Sequence, residues 1–473
     1  MQLKTTIGIL IYMGIATSVQ VKSLPQKNAE QKPPATQTQQ EDEIRPGEGE
    51  AKFDIFDWHL AKITGLTNTE VENVVTSPIS LKLVLATLFD GANSTTAEEI
   101  ARAMGFDKDN REYLRKSYNK VLKSLRTSSP HLISDVETRI FAHHTAALKK
   151  SFVDVLKSNY GTDIEKVDFS EVSKAIQKMN KWAEGVTHGH IKDLISEGDA
   201  DKNAVMLLLN VIFFNGLWKL PFAENETKIE QFYLNDRQYV NAAMMKAQHS
   251  LDYVESFDFN IQIVRLPYRD GTFAMYIILP RSRSGINDLI ANVTPERVHT
   301  LMRGMTPTNV ELSIPKFDFS YSVGLKPVLR SLGIEQMFTT AADFSNMEEN
   351  NSLYVSNVIQ KAGIEINEKG STAYASTVVE IHNKYGGSDE DKVRFNANRP
   401  FLFFIEEDKT RTVLFVGKMT NPSSDTPPAP ALPPSFEGNK AAQLFNQTVL
   451  LNELRSNLNA ASADAAHTNA PTQ

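Results

Sequence analysis

Residues 359–391 read IQKAGIEINEKGSTAYASTVVEIHNKYGGSDED and carry the most informative pattern in the chain. Residues 359–366 predict a β-strand, which the polar segment 367–370 ends. The roughly twenty residues that follow show no helical pattern. A connection of that length inside a compact domain is usually functional.

The first half of this segment has the composition of a strand rather than of a loop. Taken with a period of two, one face is small at its start and β-branched later, as a buried strand requires. That face consists of Ser371, Ala373, Ala375, Thr377, Val379 and Ile381. The opposite face is mostly polar. Two interpretations remain: an ordinary long hairpin arm, or a strand that is stored in an exposed state and can enter a sheet.

The surrounding sequence mixes helical and extended patterns. Residues 204–214 (AVMLLLNVIFF) predict a strand that is covered on both faces. Residues 401–405 and 413–416 are apolar and flank a polar turn, which predicts a hairpin. Strands and helices of mixed spacing favour an α+β fold over a regular doubly wound sheet.

The two ends of the chain differ from its middle. Residues 1–23 contain Lys4, an apolar run and small residues, which predicts a secretory signal peptide, with a buried N-terminal helix as the alternative. Residues 24–51 and most of 422–473 are predicted to be disordered, because they offer too little apolar surface to bury. The folded domain is therefore expected at 52–421, in a secreted, extracellular protein. No later segment suggests a membrane span.

Composition and motifs exclude several classes of function. The net charge of −7 gives no reason to expect nucleic-acid binding, and the absence of cysteine excludes thiol catalysis and thiolate metal sites. Gly-x-Ser-x-Gly, His-Glu-x-x-His and phosphate-loop motifs are missing, so an enzyme is not expected. His143-His144 and the pair His188 and His190 have no third ligand nearby in the sequence, so no metal site is predicted.

Residues 368–377 (EKGSTAYAST) resemble the hinge of serpin reactive loops, a glycine followed by small residues and threonine. The resemblance spans Phe53 to Pro422 and includes NVVTSPIS from Asn73, NKWAEGVTHG from Asn180, NVIFFNGLW from Asn210 and RPFLFFI from Arg399. In this order and spacing, the motifs identify the chain as a member of the serpin family. The resemblance implies a single, monomeric domain with about nine helices, three sheets and an exposed reactive-centre loop, and it implies no cofactor.

The resemblance also implies a mechanism. Inhibitory serpins offer the loop to a serine protease, and after cleavage the loop enters the main sheet while the protease stays attached as an acyl-enzyme. Counting fourteen residues from Gly370 places the scissile bond at Lys384–Tyr385, and Lys384 is the only Lys or Arg between Gly370 and Lys392. A basic residue there suits an extracellular trypsin-like protease. The alternatives are cleavage after Tyr385 by a chymotrypsin-like enzyme, Lys384 as an ordinary solvated lysine, and a non-inhibitory serpin that acts as a carrier or substrate.

The family pattern assigns roles to three further groups of residues. The hinge comprises Glu368, Gly370, Ser371, Thr372, Ala373, Tyr374, Ala375, Ser376 and Thr377. The polar shutter beneath the opening sheet comprises Ser77, Ser80, Asn210 and Gln360, and Trp218 marks the breach where the loop first enters. Tyr374 departs from the small residues usual in a hinge. Gln360 replaces a frequent histidine, and its amide is expected to keep the network without pH dependence.

Two surface features complete the prediction. Asn-x-Ser/Thr sequons are candidate glycan sites at Asn93, Asn225, Asn292, Asn350 and Asn446. A predicted helix carries the basic residues Arg115, Lys116, Lys120, Lys123 and Arg126. Such a run is ordinarily a solvated face, and the alternative is a heparin-like glycosaminoglycan site.

Overall fold

The computed structural model describes residues 55–67, 72–126, 128–129, 131–200, 202–370 and 392–423. The predicted signal peptide, the N-terminal arm and most of the C-terminal extension lie outside these residues. The α-helices of the described residues are α1 Ile55–Ala61, α2 Pro78–Gly91, α3 Ser94–Met104, α4 Arg111–Leu125, α5 Lys150–Val155, α6 Val172–Val186, α7 Ile286–Asn292, α8 Pro295–Arg303 and α9 Lys326–Ser331. None of the helices in this part of the chain is both long and apolar enough to cross a membrane.

The described strands run through the whole domain and confirm the α+β class. They are β1 Val74–Thr76, β2 Ser128–Ser129, β3 Leu132–His143, β4 Asp163–Val167, β5 Met206–Gly216, β6 Lys228–Tyr233, β7 Tyr239–Ser256, β8 Ile261–Pro267, β9 Phe273–Pro280, β10 Thr306–Pro315, β11 Phe317–Gly324, β12 Asn357–Ile366, β13 Val393–Asn396, β14 Phe401–Glu407 and β15 Val413–Met419. The predicted strand at 204–214 is β5, and the predicted hairpin is β14 and β15.

These strands form two hydrogen-bonded sheets. The larger sheet has the order β1-β15-β14-β9-β8-β7-β10-β13, with β6 also paired to β7. The smaller sheet has the order β11-β12-β5-β3-β2, with β4 paired to β3. The resemblance to serpins led us to expect about three sheets. Strand β7 accounts for the difference, because its 18 residues pair with β6 at the N-terminal end, with β10 along the middle and with β8 at the C-terminal end. This long strand joins two groups of strands into one sheet.

The smaller sheet is covered on both faces, which explains the unbroken apolar sequence of β5. On one face lies α2, all of whose residues are buried. Ser77 starts this helix by accepting a hydrogen bond from the Ser80 backbone N–H, and Pro78 follows at the first helical position, where its missing N–H costs nothing. On the other face, the apolar side of α6 packs against β5 through Trp182 and its neighbours.

The centre of the smaller sheet is a parallel pair. Strand β12 runs parallel to β5 from Asn357 opposite Leu207 to Ile364 opposite Phe214. The outer neighbours of this pair, β11 and β3, are both antiparallel to it. Even-numbered residues of β5 and β12, such as Ile212 and Ala362, face the core that contains α2.

A buried carboxylate lies at the start of the turn between β14 and β15. Glu406 is fully buried, and neither of its oxygens has a hydrogen-bond partner among the described residues. The Arg411 guanidinium lies 2.8 Å from Oε1, although outside hydrogen-bond geometry. Burial raises the pKa of Glu406 to about 7, and the positive charge of Arg411 opposes this shift. The folded protein therefore binds a proton at Glu406 more tightly than the unfolded chain does.

Glu406→Gln is expected to stabilise the protein selectively at high pH. Because the pKa is raised in the folded state, ionisation of Glu406 costs stability as the pH rises from about 4.5 to 7, and the full cost remains above pH 7. Relative to the parent, the free energy of unfolding of the variant should rise by about 3 kcal/mol between pH 5 and pH 8. Thermal denaturation at both pH values measures this. The exposed control Glu349→Gln should show no such trend, and a pH-independent effect of Glu406→Gln would contradict the assignment.

Candidate strand-insertion site

A network of buried polar side chains ties β12 to β5 and to the start of α2. Gln360 lies in β12 and is 1% exposed. Its Nε2 donates to Asn210 Oδ1 at 3.0 Å, to Ser80 Oγ at 3.0 Å and to the Ser77 carbonyl at 3.1 Å. Its Oε1 accepts from the Ser77 backbone N–H at 3.0 Å. The structure thus brings together the four residues that the family pattern assigned to the shutter.

Asn210 completes the network from the middle of β5. Its Oδ1 also accepts a hydrogen bond from Ser80 Oγ at 2.7 Å, and its Nδ2 donates to Thr138 Oγ1 in β3 at 3.0 Å. Three strands and one helix therefore meet at a single amide side chain. Because every polar group here is buried, the loss of one partner leaves the others without compensation for their lost hydration.

Two members of the network were missed in the sequence. Thr76 Oγ1 donates to Gln360 Oε1 at 2.7 Å, and Thr138 accepts from Asn210. Thr138 lies directly opposite Asn210 in the β3–β5 ladder, so only the register between these strands reveals it. Thr76 precedes the helix cap, and its position next to Ser77 is the one local signal that could have indicated it.

Trp218 lies just beyond the C-terminal ends of β5 and β12 and supports the turn that follows β12. Its ring stacks on Tyr268 with centroids 4.6 Å apart and planes inclined by 13°. The indole Nε1 donates to the Asn367 carbonyl at 3.0 Å, and the Trp218 backbone N–H donates to the Lys369 carbonyl at 2.9 Å. The turn 367–370 is thereby fixed to the chain that continues from β5.

Gly370 lies just beyond the C-terminal ends of β5 and β12, between the residues that follow these two strands. It bridges to Asn367, which follows β12, and to Leu217, which follows β5, and it runs antiparallel to both. Its φ of 129° lies in the region that favours glycine, and an added Cβ would lie only 2.0 Å from the Gly216 carbonyl oxygen. Glycine is therefore required here by both the backbone angle and the close approach.

Glu368, at the tip of this turn, is held by charged and polar partners. Lys316 Nζ lies 3.0 Å from Oε2, and Thr227 Oγ1 donates to Oε1 at 2.9 Å. Burial raises the pKa of Glu368, but hydrogen bonds from its own backbone N–H, Lys316 and Thr227 outweigh burial and leave the pKa below its ordinary value. Glu368 is thus an anchoring carboxylate that stays ionised at neutral pH.

The remaining loop positions lie outside the described residues. These are Ser371, Thr372, Ala373, Tyr374, Ala375, Ser376 and Thr377 of the hinge and the reactive bond Lys384–Tyr385. The sequon at Asn446 also lies outside them. The other four sequon asparagines are exposed on the surface, and their glycosylation stays a prediction.

The basic helix is α4, and only part of its predicted face is open. Arg115 Nε lies 2.9 Å from Asp90 Oδ2, and Arg126 Nη2 lies 2.8 Å from Glu137 Oε2. Both arginines therefore serve as internal partners of carboxylates. Lys116, Lys120 and Lys123 remain on the exposed face, so the predicted glycosaminoglycan site is reduced to these three lysines.

Gln360→Leu is expected to destabilise the domain strongly. The apolar side chain would leave the Ser77 backbone N–H and the Thr76 hydroxyl without the acceptor that Gln360 Oε1 provides in this buried site. The cost is roughly 1–3 kcal/mol for each group left unsatisfied. Thermal denaturation should show a clear fall in Tm. Lys361→Arg, on the other face of the same strand, serves as the matched control, because it keeps a cation that can donate to the Asp193 carbonyl and should change stability by no more than about 0.5 kcal/mol. Equal effects of the two variants would show that the network is not what stabilises this pair of strands.

The family model described as Serpin (serine protease inhibitor) matches residues 56–422. Serine protease inhibitor 2 of Anopheles gambiae is 32% identical over 397 residues, which cover 81% of this chain and 95% of that protein. The leukocyte elastase inhibitor of Xenopus laevis is 32% identical over 366 residues, covering 75% and 94% of the two chains.

A comparison of folds gives the same result. The crystal structure of human thyroxine-binding globulin complexed with its hormone superposes with a TM-score of 0.71 at 26% identity, covering 78% of this chain and 97% of that one. The match of the family model to most of the chain, the related inhibitors and the shared fold lead to one conclusion. The chain belongs to the serpin family.

Proposed function

We propose that this protein is a secreted inhibitor of an extracellular trypsin-like serine protease. The protease would cleave the Lys384–Tyr385 bond, and the cut loop would then enter the smaller sheet as a new strand between β5 and β12. The protein would act as a consumed substrate rather than as an enzyme. The position of Gly370 carries this proposal, because this residue already lies between the residues that follow β5 and β12, Leu217 and Asn367, and bridges to both in antiparallel fashion.

The two bridges of Gly370 define a single register for the strand that would follow. Gly370 pairs with Asn367 and with Leu217, and these positions differ by 150. Residues of β12 and β5 that face each other, such as Gln360 and Asn210, also differ by 150. A strand that continues from Gly370 can therefore pair with both neighbours at once, without a bulge or a shift.

This register predicts which side chains would be buried. Ala373 would lie opposite Ile364, Ala375 opposite Ala362, and Thr377 opposite Gln360, all on the face that packs against α2. These are the residues of the small face identified in the sequence. The pairing thus gives a physical reason for their size, since the space beneath the sheet is already filled by α2.

Insertion would require the shutter to open. In the inserted state Thr377 would lie between Gln360 and Asn210, so the hydrogen bond from Gln360 Nε2 to Asn210 Oδ1 must break. In return, one parallel pairing is replaced by two antiparallel ladders, and antiparallel pairing is slightly more stable per residue. The polar cluster therefore holds the sheet closed. The hydrogen bonds that it loses on opening are offset by new backbone hydrogen bonds to the entering strand.

The same register accounts for Tyr374. It would lie opposite Gly363 and Phe213 on the other face of the sheet. Gly363 has no side chain, and an added Cβ there would meet Phe213 at an ordinary 3.6 Å, so the position offers room beside an aromatic ring. An aromatic residue opposite a glycine is a favourable cross-strand arrangement. The bulky hinge residue is therefore compatible with insertion.

The carrier alternative has less support. An apolar cavity lies between α8 and the larger sheet, lined by Trp58, Val298 and Phe404 among others, but its volume is only about 30 Å³. Ligand pockets usually measure roughly 300–1,000 Å³. Two hollows reach that size, about 620 Å³ beside Lys326 and Arg330 and about 320 Å³ beside His143, but both are open depressions of the surface with a partly polar lining. The related thyroxine-binding globulin binds its hormone, whereas the apolar cavity has room for about one water molecule.

Ala375→Glu is expected to convert the inhibitor into a substrate. By the register above, this carboxylate would face the apolar core under Ala362, and burying an unpaired charge costs several kcal/mol. The full-length protein is mixed with trypsin, and the SDS-stable complex is measured on denaturing gels. We expect at least about a tenfold loss of complex, with cleavage retained, because each 1.36 kcal/mol corresponds to a factor of ten.

Ser376→Glu is the matched control, since the same register places this charge on the other face of the sheet, opposite Lys361, whose ammonium group can compensate it. It should keep most of the complex. Equal losses for both variants would contradict the register, and a parent that trypsin cleaves without forming any complex would place the chain among the non-inhibitory serpins.

Lys384→Ala should abolish the reaction with trypsin. A trypsin-like pocket holds a carboxylate that pairs with a basic side chain, and its loss should slow complex formation by at least about a hundredfold. Sequencing of the peptide released from the parent should give Tyr385 as its first residue. Lys392→Ala controls for the general loss of a lysine near the loop. If the parent instead forms an SDS-stable complex with chymotrypsin and releases a peptide that begins at Gly386, a chymotrypsin-like target is favoured.

A further inference from the structure

Two histidines and one aspartate lie close together at the C-terminal end of β3. This is the end of the smaller sheet that is opposite to the turn at Gly370. His143 is the last residue of β3, His144 follows it, and Asp168 follows β4. One ligand atom of each lies within 4.8 Å of those of the other two, and this is the one such group of three among the described residues. The sequence shows no third ligand near the histidine pair, but the fold brings Asp168, 24 residues further along the chain, next to it.

The backbone fixes this arrangement from both strands. His143 pairs with Val167 in the β3–β4 ladder, and the His144 N–H donates to the Val167 carbonyl at 2.9 Å. The chain turns after His143, so the two imidazole rings lie near each other, with centroids 4.3 Å apart, instead of on opposite faces of a strand. The distance from His144 Nδ1 to Asp168 Oδ1 is 3.8 Å.

Two of the three side chains have a hydrogen-bond partner behind them. Thr145 Oγ1 lies 2.8 Å from His143 Nδ1, and in the tautomer in which Nδ1 donates to this hydroxyl, Nε2 of the ring has a free lone pair. Ser170 donates to Asp168 Oδ1 from its backbone N–H at 2.9 Å and from its hydroxyl at 2.6 Å. Partners of this kind orient metal ligands and are as characteristic of metal sites as the ligands themselves.

We propose that His143, His144 and Asp168 form a binding site for Zn²⁺ or a similar divalent transition metal. Two imidazoles and one carboxylate suit zinc, whereas Ca²⁺ and Mg²⁺ prefer sites made of oxygen ligands. His143 also lines an open hollow of about 320 Å³ together with Thr145, Asn203 and Ser352. His144 and Asp168 are themselves exposed, so water molecules can complete the coordination of an ion bound to the three ligands.

Metal binding here would link the end of β3 to the segment that follows β4. Because the ligands come from two strands, a bound ion stabilises the folded state in proportion to its affinity and concentration. The expected sign is therefore an increase in Tm on addition of zinc. This site is remote from the strand-insertion site, so its existence does not depend on the proposed inhibitory function.

The test is calorimetric titration of the full-length protein, without a histidine tag, with ZnCl₂. We expect one strong site in the parent, and His144→Ala and Asp168→Asn should each weaken its affinity by more than about tenfold. Thr145→Val, which removes only the partner behind His143, should weaken the affinity by roughly 10–100-fold. In each variant, the zinc-dependent rise in Tm should shrink accordingly.

His188→Ala is the matched control. His188 is also exposed and also lies near a carboxylate, with Nε2 3.4 Å from Asp135 Oδ2, but that pair is not part of a group of three ligands. Zinc affinity should be unchanged in this variant. Unaltered affinity in His144→Ala, or a loss in His188→Ala as large as that in His144→Ala, would overturn the proposal. Circular dichroism of each variant verifies that the fold is intact.

Discussion

The structure depends on the parallel pairing of β5 with β12. Two side chains at the centre of this pair, Asn210 and Gln360, hydrogen-bond to each other and to the start of α2, so the pairing is fixed from beneath as well as along the strands. The outer strands β3 and β11 are antiparallel to the pair. A parallel pairing, which is slightly less stable per residue than an antiparallel one, therefore lies where a new strand could form antiparallel ladders on both sides.

A buried polar cluster stabilises two paired strands only when each of its polar groups has a hydrogen-bond partner. Each amide and hydroxyl in the cluster has partners in the closed sheet, so closing it carries no penalty for unsatisfied groups. When the strands separate, these groups lose partners unless the entering strand replaces them. A threonine between Gln360 and Asn210 has a hydroxyl that can donate and accept, which an alanine lacks. The composition of the loop and that of the cluster are thus matched.

The sequence was sufficient for the features that are local. The apolar run of β5, the hairpin β14–β15 and the strand β12 were predictable because each has a continuous pattern of its own. The shutter residues followed from resemblance, while Thr138 and Asp168 depend on the registers of β3 with β5 and β4, which no local pattern specifies. The run of basic residues predicted a basic helix that includes Arg115 and Arg126, but the sequence could not show that Asp90 and Glu137 already bind these two arginines.

The two bridges of Gly370 bear on the cost of starting a new strand. In most sheets a new strand must first close a loop and fix its first pair without compensation. Here the turn 367–370 is already anchored by Trp218 and by Glu368 with its partner Lys316, and Gly370 already has the register that both neighbours require. The initial entropy cost is therefore met within the closed structure. The remaining cost is that of separating β5 from β12. The strength of the Gln360–Asn210 contact, rather than the formation of the turn, should therefore control how readily the sheet opens.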